Sequence, residues 1–585
     1  MRIEEMKKCL SAADERRLKA IYAPKVVGVQ PEDTRRGICV MPDGEIRSYG
    51  IAEKKNVFRN DEAKVVYLSS RNCGLDWKLC YSQSDAVMGA CVQSHLSGKY
   101  LTVVSSRTEG HKGTFARLSM EGPEDDKYRE VKICDEVLWD IFQPVFLEKW
   151  NRWACTAHKV ENGEFMPAVV LSDDDGESWK VVYLKSTPKH EVIWPHQGCR
   201  WENNGSEPNV VELSDGTLML VARTSLDYLY LYYSKDGGDT WTTGEQSNFH
   251  CTLTTPFYLK LSDGRILFFW NNTRPLAEPD HAKTYPPVRK GVFQGINEDA
   301  FTNRDACHVA ISEDDGKSWI GLRELFLNEI RNNADYRSAG GSISSADKSV
   351  HQFQAIELPY NKILVEFGQH EIARKIVIFD LNWLYEKSHH EDLQFGLKNL
   401  STHMFVKSVS DCHLGDGFVG HCAWNRVSGA LLLPDPEGTY GEALQICRVK
   451  DKRMVSDKQG AVWNFPAAYK GEVKLQVRVA GSGIKLNLCD HWINPTDDYV
   501  DVYSAFRFDI DGVCLEPDKW HEVTVAFDCE KGFAELRCSE KVLAYRRFTN
   551  TMPYGISYLH MQTLAEETDY KGTYIRRMDF NMIEQ

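Results

Sequence analysis

An eight-residue pattern, Ser-x-Asp/Asn-x-Gly-x-x-Trp, occurs four times in this chain and limits what it can fold into. The copies occupy residues 70–77, 172–179, 234–241 and 312–319. The Gly-x-x-Trp part alone is expected about once by chance at this glycine and tryptophan content, so the four copies are a true repeat. A strand-like run precedes each copy, as in KVVYLS and LYLYYS, which indicates that each copy closes a β-hairpin.

Each residue type of the repeat suits a tight turn. The Asp or Asn side chain accepts main-chain N–H groups, the glycine adopts a positive φ, and the tryptophan covers the junction with a neighbouring sheet. The repeats therefore predict structural turns rather than catalytic residues. A second kind of hairpin alternates with them, in which an Asp-Gly turn joins two strands, as in NVVELSDGTLMLVAR.

The two kinds of hairpin together predict the fold class, which is all-β. They give sheets of about four strands that begin near residues 35, 86, 142, 207, 254 and 351. We interpret this as a six-bladed β-propeller over residues 1–390. From residue 391 to residue 585 the repeats are absent, and runs such as KGEVKLQVRVAG alternate apolar and polar residues. This pattern predicts a C-terminal β-sandwich, of jelly-roll or concanavalin-like type.

Composition excludes several classes of partner. The chain has 70 Lys and Arg against 84 Asp and Glu, a net charge of −14, and no basic stripe, so we expect no nucleic-acid partner. No apolar run approaches the ~20 residues that span a bilayer, so we expect no membrane partner. The first residues, MRIEEMKKCLSAADERRLKAIY, lack a signal-peptide pattern, which predicts a cytoplasmic protein.

Cysteine usage agrees with that expectation. There are 17 cysteines, an odd number, with no Cys-x-x-Cys pair. Scattered cysteines of this kind are typical of thiols kept reduced in the cytosol, and no ligand spacing indicates a metal site. We expect no metal and no organic cofactor, and the sequence leaves homo-oligomerisation open.

The repeats resemble the Asp boxes of the sialidase (neuraminidase) superfamily, whose members are six-bladed β-propellers. More specific is the stretch GSEPNVVELSDGTLMLVARTS, which is similar to the sialidase segment where a catalytic Glu begins one strand and an Arg ends the next. These positions are Glu207 and Arg223 here. Because the turn at residues 214–216 joins the two strands, both side chains are expected at the same rim.

The resemblance implies that three arginines hold the substrate carboxylate, for which the paired N–H donors of a guanidinium are suited. Arg223 is one of them. Arg36 matches the family's first arginine, with Arg35 as its rival. Arg304, in NRDACHVAIS, matches the third, with Arg274 as its competitor.

The resemblance also implies an acid/base carboxyl and a tyrosine nucleophile. Asp61 is the predicted acid/base residue, and the adjacent Glu62 is the alternative. The tyrosine would be activated by Glu207, because a neutral phenol avoids repulsion from the substrate carboxylate once a base takes its proton.

The position of the nucleophile departs from the family pattern. In SVHQFQAIELP the family register places Gln352, beside His351, where the tyrosine is expected, and glutamine cannot be a nucleophile. Tyr336 is the better candidate by distance along the chain. If the side chain of His351 or Gln352 faces the axis, the enzyme would instead use water with inversion, and the base would be Glu207 or His351.

The resemblance implies an exo-acting glycoside hydrolase that removes a terminal acidic sugar, such as sialic acid or a related ulosonic acid, from an oligosaccharide or glycoconjugate. Arg200 and Trp201, just before Glu207, are predicted to line its pocket. Two alternatives remain open. One is a glycosidase of the same fold that acts on a uronic acid, a deoxy sugar or arabinose. The other is a carbohydrate-binding protein without turnover.

Overall fold

The computed structural model describes residues 2–30, 37–52, 64–81, 91–123, 127–190, 203–275, 303–328, 349–368, 373–405, 426–438 and 441–583. Within them the chain is nearly all-β, as predicted. It opens with two short helices, α1 (Ile3–Lys8) and α2 (Ala12–Lys19), and then β1 (Lys25–Gly28). No helix among the described residues combines the length and the apolar character needed to cross a bilayer.

Among the described residues, six four-stranded antiparallel sheets follow, which we number in chain order. Sheet 1 contains β2 (Ile38–Val40), β3 (Ile46–Ala52), β4 (Lys64–Ser70) and β5 (Lys78–Tyr81). Sheet 2 contains β6 (Val92–Gln93), β7 (Tyr100–Ser106), β8 (Gly113–Ser119) and β9 (Arg129–Cys134). Sheet 3 contains β10 (Val145–Leu147), β11 (Arg152–Glu161), β12 (Glu164–Ser172) and β13 (Lys180–Tyr183).

The other three sheets repeat this hairpin order. Sheet 4 contains β14 (Asn204–Glu212), β15 (Leu218–Thr224), β16 (Tyr228–Ser234) and β17 (Glu245–His250). Sheet 5 contains β18 (Phe257–Lys260), β19 (Ile266–Trp270), β20 (Ala306–Ser312) and β21 (Ile320–Leu327). Sheet 6 contains β22 (Gln354–Leu358), β23 (Lys362–Phe367), β24 (Lys375–Asp380) and, at its edge, β1. Each sheet begins within six residues of its predicted start.

Neighbouring sheets contact each other in chain order. β13 contacts β9, β14 contacts both β11 and β12, β18 contacts β14, and β22 contacts β18. Sheet 6 also touches sheet 1, through β22 and β2. Because β1 pairs with β24, the first strand of the chain completes the last of the six sheets.

The repeated pattern forms the predicted turns. In the second copy, Ser172 Oγ accepts the N–H of Gly176 at 2.8 Å, and Asp174 Oδ1 accepts an N–H four residues further on. Trp179 Nε1 donates to the carbonyl of Gly176 at 2.9 Å. The next two copies make the same three hydrogen bonds. The glycine has a positive φ in all four copies, which is the conformation that glycine adopts without a steric penalty.

Within the described residues, the C-terminal unit contains one larger sheet, one five-stranded sheet and a short strand pair. The larger sheet contains β25 (Ser388–Glu391), β29 (Leu431–Pro434), β30 (Glu442–Arg448), β32 (Lys470–Val479), β35 (Trp520–Asp528), β36 (Phe533–Cys538), β37 (Lys541–Arg547) and β39 (Asp569–Met582). The five-stranded sheet contains β26 (Leu400–Ser401), β31 (Gly460–Ala468), β33 (Ile484–Cys489), β34 (Phe506–Ile510) and β38 (Ile556–Thr563). The short pair is β27 (Met404–Phe405) with β28 (Arg426–Val427).

One hydrophobic core lies between these two sheets, as in a β-sandwich. It takes Val473 and Phe580 from the larger sheet, and Phe465 and Leu486 from the five-stranded sheet. Burial alternates strictly along β32, because a strand with one face on a core points every second side chain inward. β25 already pairs with β39, so the predicted boundary after residue 390 falls inside a strand of this unit.

The five-stranded sheet packs on sheet 5 through β31 and β21. Thr273, which follows β19, forms a parallel bridge with Trp492, which follows β33. The Trp492 N–H donates to the Asn272 carbonyl at 2.9 Å, and the Arg274 N–H donates to the Trp492 carbonyl at 3.1 Å. Main-chain hydrogen bonds thus join the C-terminal unit to sheet 5.

Candidate active site

A β-bulge at the start of sheet 4 sets the position of Glu207. Ser206 lies opposite Arg223 and Asn209 lies opposite Val221, so β14 holds one more residue than β15 over this stretch. Glu207 has a φ of 45°, a left-handed conformation that is uncommon for a residue other than glycine. Bulges of this kind turn a side chain out of the regular strand direction.

The Glu207 carboxylate is held by two buried donors. Arg223 Nη1 lies 2.5 Å from Glu207 Oε2, and the two side chains are 5% and 6% exposed. The Thr255 hydroxyl, from the segment between β17 and β18, donates to the same oxygen. The sequence prediction that Glu207 and Arg223 lie side by side at one end of a hairpin agrees with this geometry.

The segment from residue 251 to residue 255 also accepts hydrogen bonds from Arg304. Arg304 is fully buried, and its guanidinium donates to the carbonyls of Thr252, at 3.3 Å, and Leu253. Burial raises the pKa of the Cys251 thiol. Hydrogen bonds with Thr254 and the positive charges of Arg223 and Arg304 oppose this increase in pKa. The thiol therefore lies within the field of both guanidinium groups, and the segment from residue 251 to residue 255 contacts both Arg304 and, through Thr255, Glu207.

One residue that the sequence did not identify contacts Glu207, and a second contacts that residue in turn. The Glu207 N–H donates to His158 Nδ1 at 3.3 Å. His158 Nε2 lies 3.9 Å from Asp140 Oδ2. Neither residue belongs to a local motif, and both precede Glu207 by a whole sheet, so sequence reasoning had no signal for them.

The segment before β22 reaches the same region through the main chain. The Val350 N–H donates to the Arg304 carbonyl at 2.9 Å. His351, next in the chain, is buried, and its carbonyl accepts the Gly368 N–H at 2.6 Å. Gln352 has a φ of 66°. The structure therefore places His351 three residues before the start of sheet 6, and next in the chain to the residue that binds the Arg304 carbonyl.

A buried carboxyl on sheet 6 was also not predicted. Glu366 lies opposite Gln354 in the β22–β23 hairpin. It is 2% exposed and accepts a hydrogen bond of 2.7 Å from the Ser48 hydroxyl of sheet 1. Burial raises the pKa of Glu366 to about 7, because a charged carboxylate loses its hydration inside the protein.

A comparison with known protein families matches the part of the chain that forms sheets 3 to 5. Residues 141–351 match the family model of the BNR repeat-like domain. A sialidase of Clostridium perfringens is 25% identical over 162 residues, which cover 25% of this chain and 41% of that protein. The chain thus spans less than half the length of this curated relative. These matches confirm the predicted resemblance to the sialidase superfamily.

Solved structures of sialidases are also similar to the chain. A Trypanosoma rangeli sialidase in complex with sialic acid aligns with 96% of this chain and 94% of its own, at 11% identity and a TM-score of 0.36. A protein of unknown function from Dyadobacter fermentans aligns with 61% of this chain and 97% of its own, at 15% identity and a TM-score of 0.37.

Arg274, the competitor of Arg304 in the sialidase-like pattern, lies in a different cluster. Its guanidinium stacks over the Tyr503 ring at 4.0 Å and lies 3.9 Å from Asp227. Burial would lower the pKa of Arg274, but Asp227 and the Tyr503 and Tyr228 phenols raise it. Arg274 therefore joins sheet 4 to the C-terminal unit, and the structure does not bring it to Glu207.

The remaining predicted residues lie outside the part of the chain that the structure describes: Arg36, Asp61, Arg200, Trp201 and Tyr336. Their rivals Arg35 and Glu62 lie outside it as well.

One buried group among the described residues has the composition of a metal site. His491 Nδ1 and His250 Nε2 lie 2.6 and 3.4 Å from Asp490 Oδ1. His250 Nδ1 lies 3.4 Å from Arg274 Nη2; it accepts that hydrogen bond, so its own proton is on Nε2 and faces the carboxylate. Burial lowers the pKa of His491 to about 3. Because the imidazole N–H groups already occupy Asp490, the group fits a hydrogen-bonded junction better than a metal centre.

Proposed function

We propose that this chain is an exo-acting, sialidase-type glycoside hydrolase that removes a terminal sugar bearing a carboxylate. A sialic acid or a related ulosonic acid on an oligosaccharide is the substrate class that suits it. The observation that carries the proposal is the buried cluster of Glu207, Arg223 and Arg304 around residues 251–255. Guanidinium groups held in a water-poor site bind a planar carboxylate through paired, charge-assisted hydrogen bonds.

In this proposal each residue has the role that the sialidase resemblance implies. Arg223, Arg304 and Arg36 hold the carboxylate. Asp61 protonates the leaving oxygen and later activates water. Glu207 accepts a proton from Tyr336, or from a water molecule that replaces it as the nucleophile.

We further propose that the six sheets form a closed β-propeller. Two observations support this: sheet 1 touches sheet 6 through β2 and β22, and the first strands of sheets 4, 5 and 6 contact one another in order. An N-terminal strand that completes the last sheet, as β1 does, would fasten such a ring. Glu207 at the start of β14 and His351 before β22 would then lie at one mouth of the ring.

A second candidate function is a glycosidase of the same fold that acts on another sugar and inverts its configuration. It is favoured by the segment before β22, where His351 and the positive-φ residue Gln352 occupy the place of the family tyrosine. An inverting enzyme uses a base and a water molecule and needs no tyrosine at that place.

A panel of aryl glycosides distinguishes these functions. We expect the chain to release aglycone from an α-sialoside, and Glu207→Gln to reduce kcat by about 10²–10⁴-fold, the usual contribution of a proton-transferring group. The exposed residue Glu177 offers a control, since Glu177→Gln should leave kcat unchanged. Release from a neutral sugar alone would favour the second function. Binding without product after long incubation would leave only a carbohydrate-binding protein.

A further inference from the structure

His158 is fixed in place between sheets 3 and 4. It lies on β11 and is 2% exposed. Its main-chain N–H and C=O pair with the C=O and N–H of Trp139, at 3.0 and 2.8 Å. Its ring also packs against Phe165, with centroids 5.2 Å apart. Because both its backbone and its ring are held, the two imidazole nitrogens have defined directions.

The hydrogen bonds of His158 define its tautomer. Nδ1 receives the N–H of Glu207 at 3.3 Å, so Nδ1 carries a lone pair and no proton. A neutral imidazole then has its proton on Nε2. Nε2 faces Asp140 at 3.9 Å, and a carboxylate on that side favours a proton there.

The backbone of Glu207 needs such an acceptor. Its φ of 45° is sterically disfavoured, and Pro208 follows it, which pushes the preceding residue toward extended conformations. The bulge removes Glu207 from the regular β14–β15 pairing, so the sheet ladder does not take its N–H. His158 Nδ1 supplies the missing acceptor from the neighbouring sheet.

We propose that His158, with its tautomer set by Asp140, is a positioning residue that holds the Glu207 carboxylate toward Arg223 and Thr255. The role rests on the proposed function for its kinetic test, because Glu207 is the proton acceptor there. His158 touches the backbone of Glu207 and not the reacting atoms, so its effect appears in kcat more than in KM. Strained conformations persist only where the surroundings enforce them, and removal of this acceptor releases Glu207.

Two amide variants separate positioning from packing. The side-chain amide of asparagine reaches the place of Nδ1, whereas that of glutamine reaches the place of Nε2. We expect His158→Asn to keep kcat within about threefold. We expect His158→Gln and His158→Ala to lower kcat by about 10- to 100-fold, and to change KM by less than about threefold. A loss of kcat of this size is expected when a residue is released from an enforced conformation. The exposed residue His390 gives the control His390→Gln, which should match the unaltered chain.

The tautomer is measured without any substrate. In the 585-residue chain labelled with ¹⁵N-histidine, we expect the His158 Nδ1 resonance of an unprotonated nitrogen and the Nε2 resonance of a protonated one. Asp140→Asn should reduce this preference. A protonated Nδ1 overturns the inference, and so does unchanged kcat in both His158→Gln and His158→Ala. If the unaltered chain cleaves no glycoside, the proposed function fails, and the tautomer alone then decides the inference.

Discussion

The buried pair of Glu207 and Arg223 makes a quantitative prediction about stability. Both side chains are about 95% removed from solvent. Replacing Arg223 by methionine leaves the carboxylate with the Thr255 hydroxyl but without its counter-charge. Replacing Glu207 by glutamine leaves a buried guanidinium in the same position. The variant with both changes leaves neither charge.

The expected magnitudes follow from the burial of this pair. Removing one partner of a buried ion pair costs about 3–5 kcal/mol, because the other charge stays in the protein without hydration or a partner. Replacing both partners by neutral side chains of similar volume is close to neutral. We therefore expect each single change to lower the free energy of unfolding by ~3 kcal/mol or more. The double change should recover at least ~2 kcal/mol of the summed loss.

Urea unfolding followed by tryptophan fluorescence measures these changes. The slope of such a transition is about 1–3 kcal/mol per M for small proteins and increases with the surface exposed on unfolding. Each single change should therefore lower the midpoint of the first unfolding transition by roughly 0.5 M or more. The exposed pair of Arg453 and Asp451, with the arginine 79% exposed, provides a matched control. Arg453→Met should leave the midpoint close to that of the unaltered chain, because an exposed ion pair contributes little to stability. Single changes as mild as the control, or losses that simply add in the double variant, would refute this reasoning.

The same variants separate stability from catalysis, since the double variant should regain stability and still lack hydrolysis. Arg223 neutralises a buried carboxylate, so its removal should lower stability as well as hydrolysis.

Two further predictions concern stability alone. Burial lowers the pKa of His308 and His491 to about 3 and of His560 to about 4, while the unfolded chain binds these protons near pH 6.5. Because the unfolded state then holds more protons, the free energy of unfolding should fall as the pH drops below 6.5, by ~4 kcal/mol for the three histidines together at pH 5.5. Equal urea midpoints at pH 7.5 and pH 5.5 would contradict this. Alanine at Ser172, Ser234 or Ser312 removes a hydrogen bond of 2.8 Å from the N–H of a turn glycine. Each change should lower the free energy of unfolding by ~1 kcal/mol and leave kcat unchanged. A large loss of kcat would show that the repeats act in catalysis.

Much of the fold was predictable because its turns are local. The β14–β15 hairpin turns at Gly216, with a φ of 90°, and the β18–β19 hairpin at Gly264, with a φ of 94°. Both follow from Asp-Gly sequences. The β22–β23 hairpin turns at Tyr360 and Asn361, which both have positive φ, as a two-residue turn of type I′ requires. Neighbouring residues determine such turns.

Contacts between segments that are distant in the sequence were harder to predict. Nothing in the sequence around β1 indicates that it pairs with β24, because a four-residue strand at the edge of a sheet has no specific partner signature. The same holds for Arg274. It was the competitor of Arg304 for one family position, and only the long-range packing of sheet 4 and the C-terminal unit around it assigns it to Asp227 and Tyr503.

The candidate site shows the same difference between local and long-range contacts. Glu207 and Arg223 were predictable because they interact through their side chains and because one hairpin brings them together. His158 acts on a main-chain N–H, which every residue except proline carries, so no residue type at position 207 could have indicated its partner. Its importance depends on a bulge that withdraws this N–H from the sheet and on the packing of sheet 3 against sheet 4. A substitution at His158 should therefore disturb Glu207 even though both residues that bind its carboxylate remain in place.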